Sequence, residues 1–213
     1  KSILGIGVPN GLENGMFQIG KVLVSSLIAT FGTTAIAANA VASNFSSLQV
    51  MPGSAIGLAM ITVVGQCMGA GDTKAAKAYA GKLLLLAMAC VGTLSVFVFF
   101  FSPYLMRFYS LTGETADTAV FLLRIHSVFS IFIWSASFCL PNALRAAGDV
   151  RFTMLVSTFS MWLCRIAASY LLANTFQLGV YGVWYAMVLD WVFRAAFYLW
   201  RYFGTKWLRM KVI

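Results

Sequence analysis

Charge is scarce in this chain, and acidic charge scarcest. Of 213 residues only 10% are charged, with six Asp or Glu against fifteen Lys or Arg. Soluble domains carry about 25% charged residues, so an ordinary water-facing surface is excluded. There is one histidine, and the four cysteines (Cys67, Cys90, Cys139 and Cys164) all sit in apolar stretches with no CxxC among them. A disulfide framework or zinc site lacks its ligand pattern, so no metal is expected and the thiols read as small hydrophobes. The sequence also has no Walker-type phosphate loop, nucleophile elbow, HExxH or paired carboxylates. ATP-driven work by this chain, enzymatic chemistry and a bound cofactor are therefore not expected.

What is abundant is apolar: 61% of the residues are hydrophobic. No charge occurs between Val22 and Gly71, a stretch too long for one span of ~20 residues. The turn signal Gly32-Thr33-Thr34 divides it. The hydropathy pattern predicts six membrane spans, at about 3–31, 36–68, 79–101, 118–143, 152–173 and 182–202, in an all-α membrane protein with the lipid bilayer as its first partner.

The net charge of +9 does not point to nucleic acid, because the basic residues gather at span ends rather than on a patch. Lys74, Lys77 and Lys82 follow span two; Arg145 and Arg151 follow span four; Arg201, Lys206, Arg209 and Lys211 follow span six. The other three connections are nearly free of Lys and Arg. This alternation is the positive-inside pattern, and it predicts both ends of the segment on the cytoplasmic side.

Two of the basic connections carry a Gly-Asp pair, Gly71-Asp72 and Gly148-Asp149. Gly can close one helix in the left-handed conformation, and the Asp can N-cap the next.

Polar residues inside the spans are the candidates for function. In span one Gly7, Gly11 and Gly15 recur at spacing four, beside Asn10, Asn14, Gln18 and Lys21, with Glu13 at the edge and Pro9 expected to bend the helix. At 1.5 Å per residue Glu13 lies ~16 Å deep, about the midplane. A carboxylate there marks a pathway by default, so Glu13 is the candidate ion-coupling group. Span two carries a stripe of Asn39, Ser43, Ser46, Gly53, Ser54 and Gly57, with Asn44 and Gln49 off it and Pro52 as a bending point. The stripe suits a water-accessible cavity or tight helix packing, and the sequence leaves both open. Arg165, Asp190 and Arg194 reach similar depths on spans five and six and are expected to satisfy one another as a structural cluster. Arg124 and His126 read as interfacial. Trp184, Trp200, Trp207, Tyr104, Tyr109 and Tyr202 read as an aromatic belt.

Several runs together resemble one family. Gly-Val-Pro-Asn-Gly-Leu-Glu (7–13), Gly32-Thr33, Ala-Ala-Asn-Ala-Val-Ala-Ser-Asn-Phe (37–45), Met51-Pro52-Gly53, Val64-Gly65-Gln66 with Gly69-Ala70-Gly71-Asp72, and Pro-Asn-Ala-Leu-Arg-Ala-Ala-Gly-Asp (141–149) are similar to the multidrug and toxic compound extrusion (MATE) family, in order along nearly the whole chain. The resemblance implies one six-helix lobe, the C-terminal one, of a twelve-helix, two-lobe antiporter in the cell membrane. Such proteins export amphipathic and cationic molecules in exchange for H+ or Na+ by alternating access. The missing partner is then an N-terminal six-helix lobe, or a second copy, and the start at Lys1 fits a piece of a longer protein. Asn10, Asn14, Gln18 and Asn44 are the expected cavity-lining residues. Sodium-coupled relatives carry acids at positions that fall near Phe17 or Gln18 and at Trp134 here, where this chain has none. Two other readings fit a six-span chain: a lipid-linked oligosaccharide flippase of a related superfold, and a membrane interaction module that transports nothing.

Overall fold

The computed structural model of the chain describes residues 2–210, with the side chains of residues 2–10, 12, 13 and 209 outside that description. Among the described residues there are six long helices and no strand. They are α1 (Ser2–Ala29), α2 (Thr33–Gly69), α3 (Thr73–Phe108), α4 (Gly113–Ala146), α5 (Val150–Thr175) and α6 (Gly179–Phe203). A short 3-10 turn, Lys206–Arg209, follows.

The helices outrun the apolar segments that announce them. The sequence starts the third segment at 79 because Lys74 and Lys77 are charged. The helix itself begins at Thr73, where the Asp72 carboxylate accepts from the Ala75 amide at 2.9 Å and satisfies an orphan donor. It also runs past Pro103 to Phe108. Helix α4 likewise starts at Gly113 rather than near 118, with Glu114 in its first turn, where the helix dipole favours an acid.

The two Gly-Asp junctions are built alike. Gly71 and Gly148 take φ values of 78° and 91°. The amides of Asp72 and Asp149 reach back to the Cys67 and Leu144 carbonyls at 3.0 and 2.9 Å, the pattern of a Schellman helix end. The side chains then diverge. Asp149 does not cap its helix; its Oδ2 accepts from Arg201 Nε at 2.6 Å instead. An ion pair with α6 outcompetes the local cap, so this junction is tied to the end of the last helix. Tyr202 ties the other junction down, donating to the Lys77 carbonyl at 3.0 Å.

Small residues let the helices cross closely. Ala38, Ala42, Ala76, Ala80 and Ala87 are fully buried. A Cβ added at Gly53 would stand 2.5 Å from Val91 and 2.6 Å from Trp134, and one at Gly57 2.9 Å from Asn142. Gly11 and Gly15 differ: an added Cβ there meets nothing within 4 Å, so these two positions of the α1 stripe form no packing seam among the described residues. Gly20, nearer the far end, is the one among the described α1 glycines that packs, against Met161.

Large apolar side chains cover the outside. Phe97, Phe100, Leu85 and Phe108 are 53%, 67%, 67% and 85% exposed. Among the described residues α2, α3, α4 and α5 are each long and apolar enough to cross a membrane. A bundle with its backbone satisfied inside helices and apolar rings facing outward is what lipid demands.

Candidate functional site

The same bundle encloses a cavity of about 430 Å³, lined from five helices. It lies toward the end opposite the two Gly-Asp junctions. Helix α2 presents Asn39, Ser43, Ser46 and Ser47 to it, one face at spacings of three and four. Farther along, the stripe becomes Gly53 and Gly57 and packs directly on α3 and α4. The polar stripe of span two is therefore cavity wall at one end and helix seam at the other, while Ser54 is exposed. Asn44 lies about 100° round the helix from Ser43 and is exposed, outside the lining.

Helix α1 contributes Phe17 and Lys21, one turn apart. Asn14 and Gln18 are exposed and are not among the lining residues. The side chains of Pro9, Asn10 and Glu13 lie outside the described residues. Helix α2 is continuous through Pro52.

Helix α4 supplies His126, Trp134 and Phe138. His126 is not interfacial; it is 3% exposed, sits against Trp191 with ring centroids 5.1 Å apart, and shares a 3.1 Å hydrogen bond with Ser130. A π-helical turn at Ser130–Trp134 follows, a local widening that often accompanies functional sites. Helix α5 widens in the same way at Met161–Ala167, the turn that carries Arg165 into the cavity wall.

Three residues assigned to an aromatic belt are interior, Tyr202 (9% exposed) and two tryptophans. Trp184 is 4% exposed, lines the cavity and donates from Nε1 to Asn39 Oδ1 at 3.0 Å. Trp207 is fully buried and donates to the Tyr202 carbonyl. Trp200 and Tyr104, at 65% each, do face outward.

Behind the cavity the three inner charges meet. Asp190 is fully buried; Arg194 Nε donates to its Oδ1 at 2.9 Å, and Arg165 Nη1 stands 3.6 Å from its Oδ2. Ser160 also donates to the carboxylate, and Arg194 Nη2 reaches the Ser157 carbonyl at 3.3 Å. One carboxylate thus balances two guanidiniums. Gln49, which the stripe left out, is 1% exposed; it donates to Ser95 and accepts from Ser127, so it joins α2 to α3 and α4. Among the described residues no cluster of His, Cys, Asp and Glu could hold a metal ion.

Long helices with apolar outer faces, surrounding a cavity of polar and aromatic side chains, define a helical membrane protein with an interior site. The chain belongs to the MatE family, whose model matches residues 9–171. It is similar to a probable multidrug resistance protein NorM of Thermotoga maritima, 26% identical over 213 residues, which are 100% of this chain and 46% of that protein. A multidrug resistance protein NorM of Burkholderia vietnamiensis is 31% identical over 206 residues, 94% of this chain and 44% of the relative. Among solved structures, the MATE transporter ClbM in complex with Rb+ superimposes with a TM-score of 0.85 at 21% identity, over 100% of this chain and 47% of that one. A MOP superfamily transporter from Pyrococcus furiosus gives 0.86 at 19%, over 96% and 45%. These structures share the fold. The chain spans about half the length of the relatives it matches, one lobe of the full architecture. Members of the family are transporters rather than enzymes.

Proposed function

We propose that the chain is the second six-helix lobe of a two-lobe antiporter. The complete protein exports amphipathic drugs, organic cations among them, in exchange for H+ or Na+ by alternating access. The observation that carries this reading is the polar and aromatic cavity inside one lobe, in a chain about half as long as relatives named for multidrug resistance. Cavities between the helices of a repeat-built bundle are where such transporters bind substrate. All six helices span the cell membrane in this reading. The basic junction loops and both ends lie on the cytoplasmic side, so the cavity sits toward the outer leaflet. The remaining partner is the N-terminal lobe, or a second copy of this one.

Glu13 is the proposed coupling group. It stands two helical turns before Lys21 and one before Phe17 on α1, near the mid-depth at which an acid is costly and therefore functional. The test is gradient-driven drug flux into proteoliposomes holding the complete protein. A proton or sodium gradient should drive flux in the unaltered protein. Glu13→Gln should abolish that dependence with expression unchanged. Folded protein that moves no drug under either gradient would refute the transport reading, and undiminished coupling in Glu13→Gln would remove that residue's role.

A further inference from the structure

The charges around the cavity are those of a site for anions. Its described lining includes Lys21 and Arg165 and no Asp or Glu. Among the described residues the nearest carboxylate, Asp190, is fully buried and already shared among Arg194, Arg165 and Ser160.

The aromatic faces tell the same story. A cationic ligand would be received on ring faces, yet two of these rings already carry the protein's own cations. Lys21 Nζ lies 5.0 Å from the Phe17 centroid, and the Arg194 guanidinium lies 5.6 Å from Phe17 and 5.4 Å from Phe138.

Donors, meanwhile, are in surplus. Arg165 Nε and Trp191 Nε1 are buried with no hydrogen-bond partner among the described residues, and Trp191 is only 2% exposed. Neither atom can accept a hydrogen bond. Ser46 Oγ, on the facing wall, is likewise unpaired. One buried acceptor, Asp190 Oδ2, also lacks a hydrogen bond among the described residues, but it stands 3.6 Å from Arg165 Nη1. Leaving the two buried donors unmade is costly, so this wall suits a group that brings acceptors.

We propose that this cavity binds flat aromatic anions, a carboxylate or sulfonate on a fused ring, with Lys21 and Arg165 holding the anion and Trp184 and Trp191 flanking the ring. The volume of about 430 Å³ falls within the range of small-molecule sites, ~300–1,000 Å³. The proposal rests on the transport reading above and extends it: the exporter's spectrum includes acids, and this lobe recognises them.

The test titrates the complete protein in detergent, by calorimetry, with two probes of the same ring and opposite charge, 2-naphthoate and protonated 2-naphthylmethylamine. Naphthoate should bind more tightly by about tenfold or more, the worth of one good hydrogen bond to a charged group. Lys21→Gln, at an exposed position where folding is not at stake, should lose about tenfold of the naphthoate affinity and none of the amine affinity. Arg165→Gln should do the same in protein whose thermal unfolding still shows a cooperative transition. Equal or tighter binding of the amine would overturn the proposal, as would naphthoate affinity indifferent to Lys21→Gln. Gradient-driven drug flux, measured alongside, keeps the two readings apart. Flux without naphthoate preference overturns this proposal alone, whereas folded protein without flux overturns the transport reading beneath it.

Discussion

Asp190 shows how a single side chain can organise an interior. Its carboxylate faces two guanidiniums and a serine hydroxyl with no exposure of its own. Asp190→Asn would leave Arg165 and Arg194 without their counter-charge, a loss of about 3–5 kcal/mol for a broken buried pair. The complete protein should then unfold at a clearly lower temperature in detergent, and an unchanged transition would contradict the assignment. Counting residues inward from the span ends places Arg165 and Asp190 at a common depth, so that much was legible in the sequence. The environment of His126, Trp184 and Trp207 was not. An aromatic or imidazole ring near a span end looks alike in sequence whether it faces lipid or core, and only the helix rotation decides. Asn39 and Asn44 make the same point, since five positions turn one of them into the cavity and the other away.

Helix ends were legible where a local bond sets them and obscure where a distant one does. Asp72 caps α3 through the amide three residues on, a spacing visible in the sequence. Asp149 has the same Gly-Asp context, but its partner is Arg201, on another helix. Asp72→Ala should cost about 1 kcal/mol, as a lost N-cap does. Asp149→Ala should cost more, because it strands a guanidinium that is only 13% exposed. Melting temperatures of the two variants check the order, and the reverse order would contradict it. The glycines of α1 and α2 are also distinguished by what they meet. Gly53→Val should destabilise by roughly 1–3 kcal/mol, because the new side chain drives into Val91 and Trp134. Gly11→Ala meets nothing and should leave the melting temperature unchanged or slightly raised, since Ala favours helix. Small-residue spacing alone made the α1 stripe look like a seam and left the α2 stripe open between seam and cavity wall. Which one has a helix against it depends on tertiary contacts.

At the scale of the whole molecule, the sequence carries its membrane class in composition and its family in motifs spread along the chain. What it could not show is that five helices converge on one cavity, because that convergence joins α1 residues to others more than a hundred positions away. The central claim is that this cavity is where the complete transporter holds its ligand. Ser43→Cys, in the complete protein with its native cysteines replaced, places a reactive thiol on the cavity wall. Its rate of labelling by a water-soluble thiol reagent, with and without a transported drug, is the direct measurement. Drug should slow labelling at position 43 and leave a matching Asn44→Cys thiol, on the exposed neighbouring position, unaffected. Labelling at position 43 that proceeds at the same rate with saturating drug would contradict the claim.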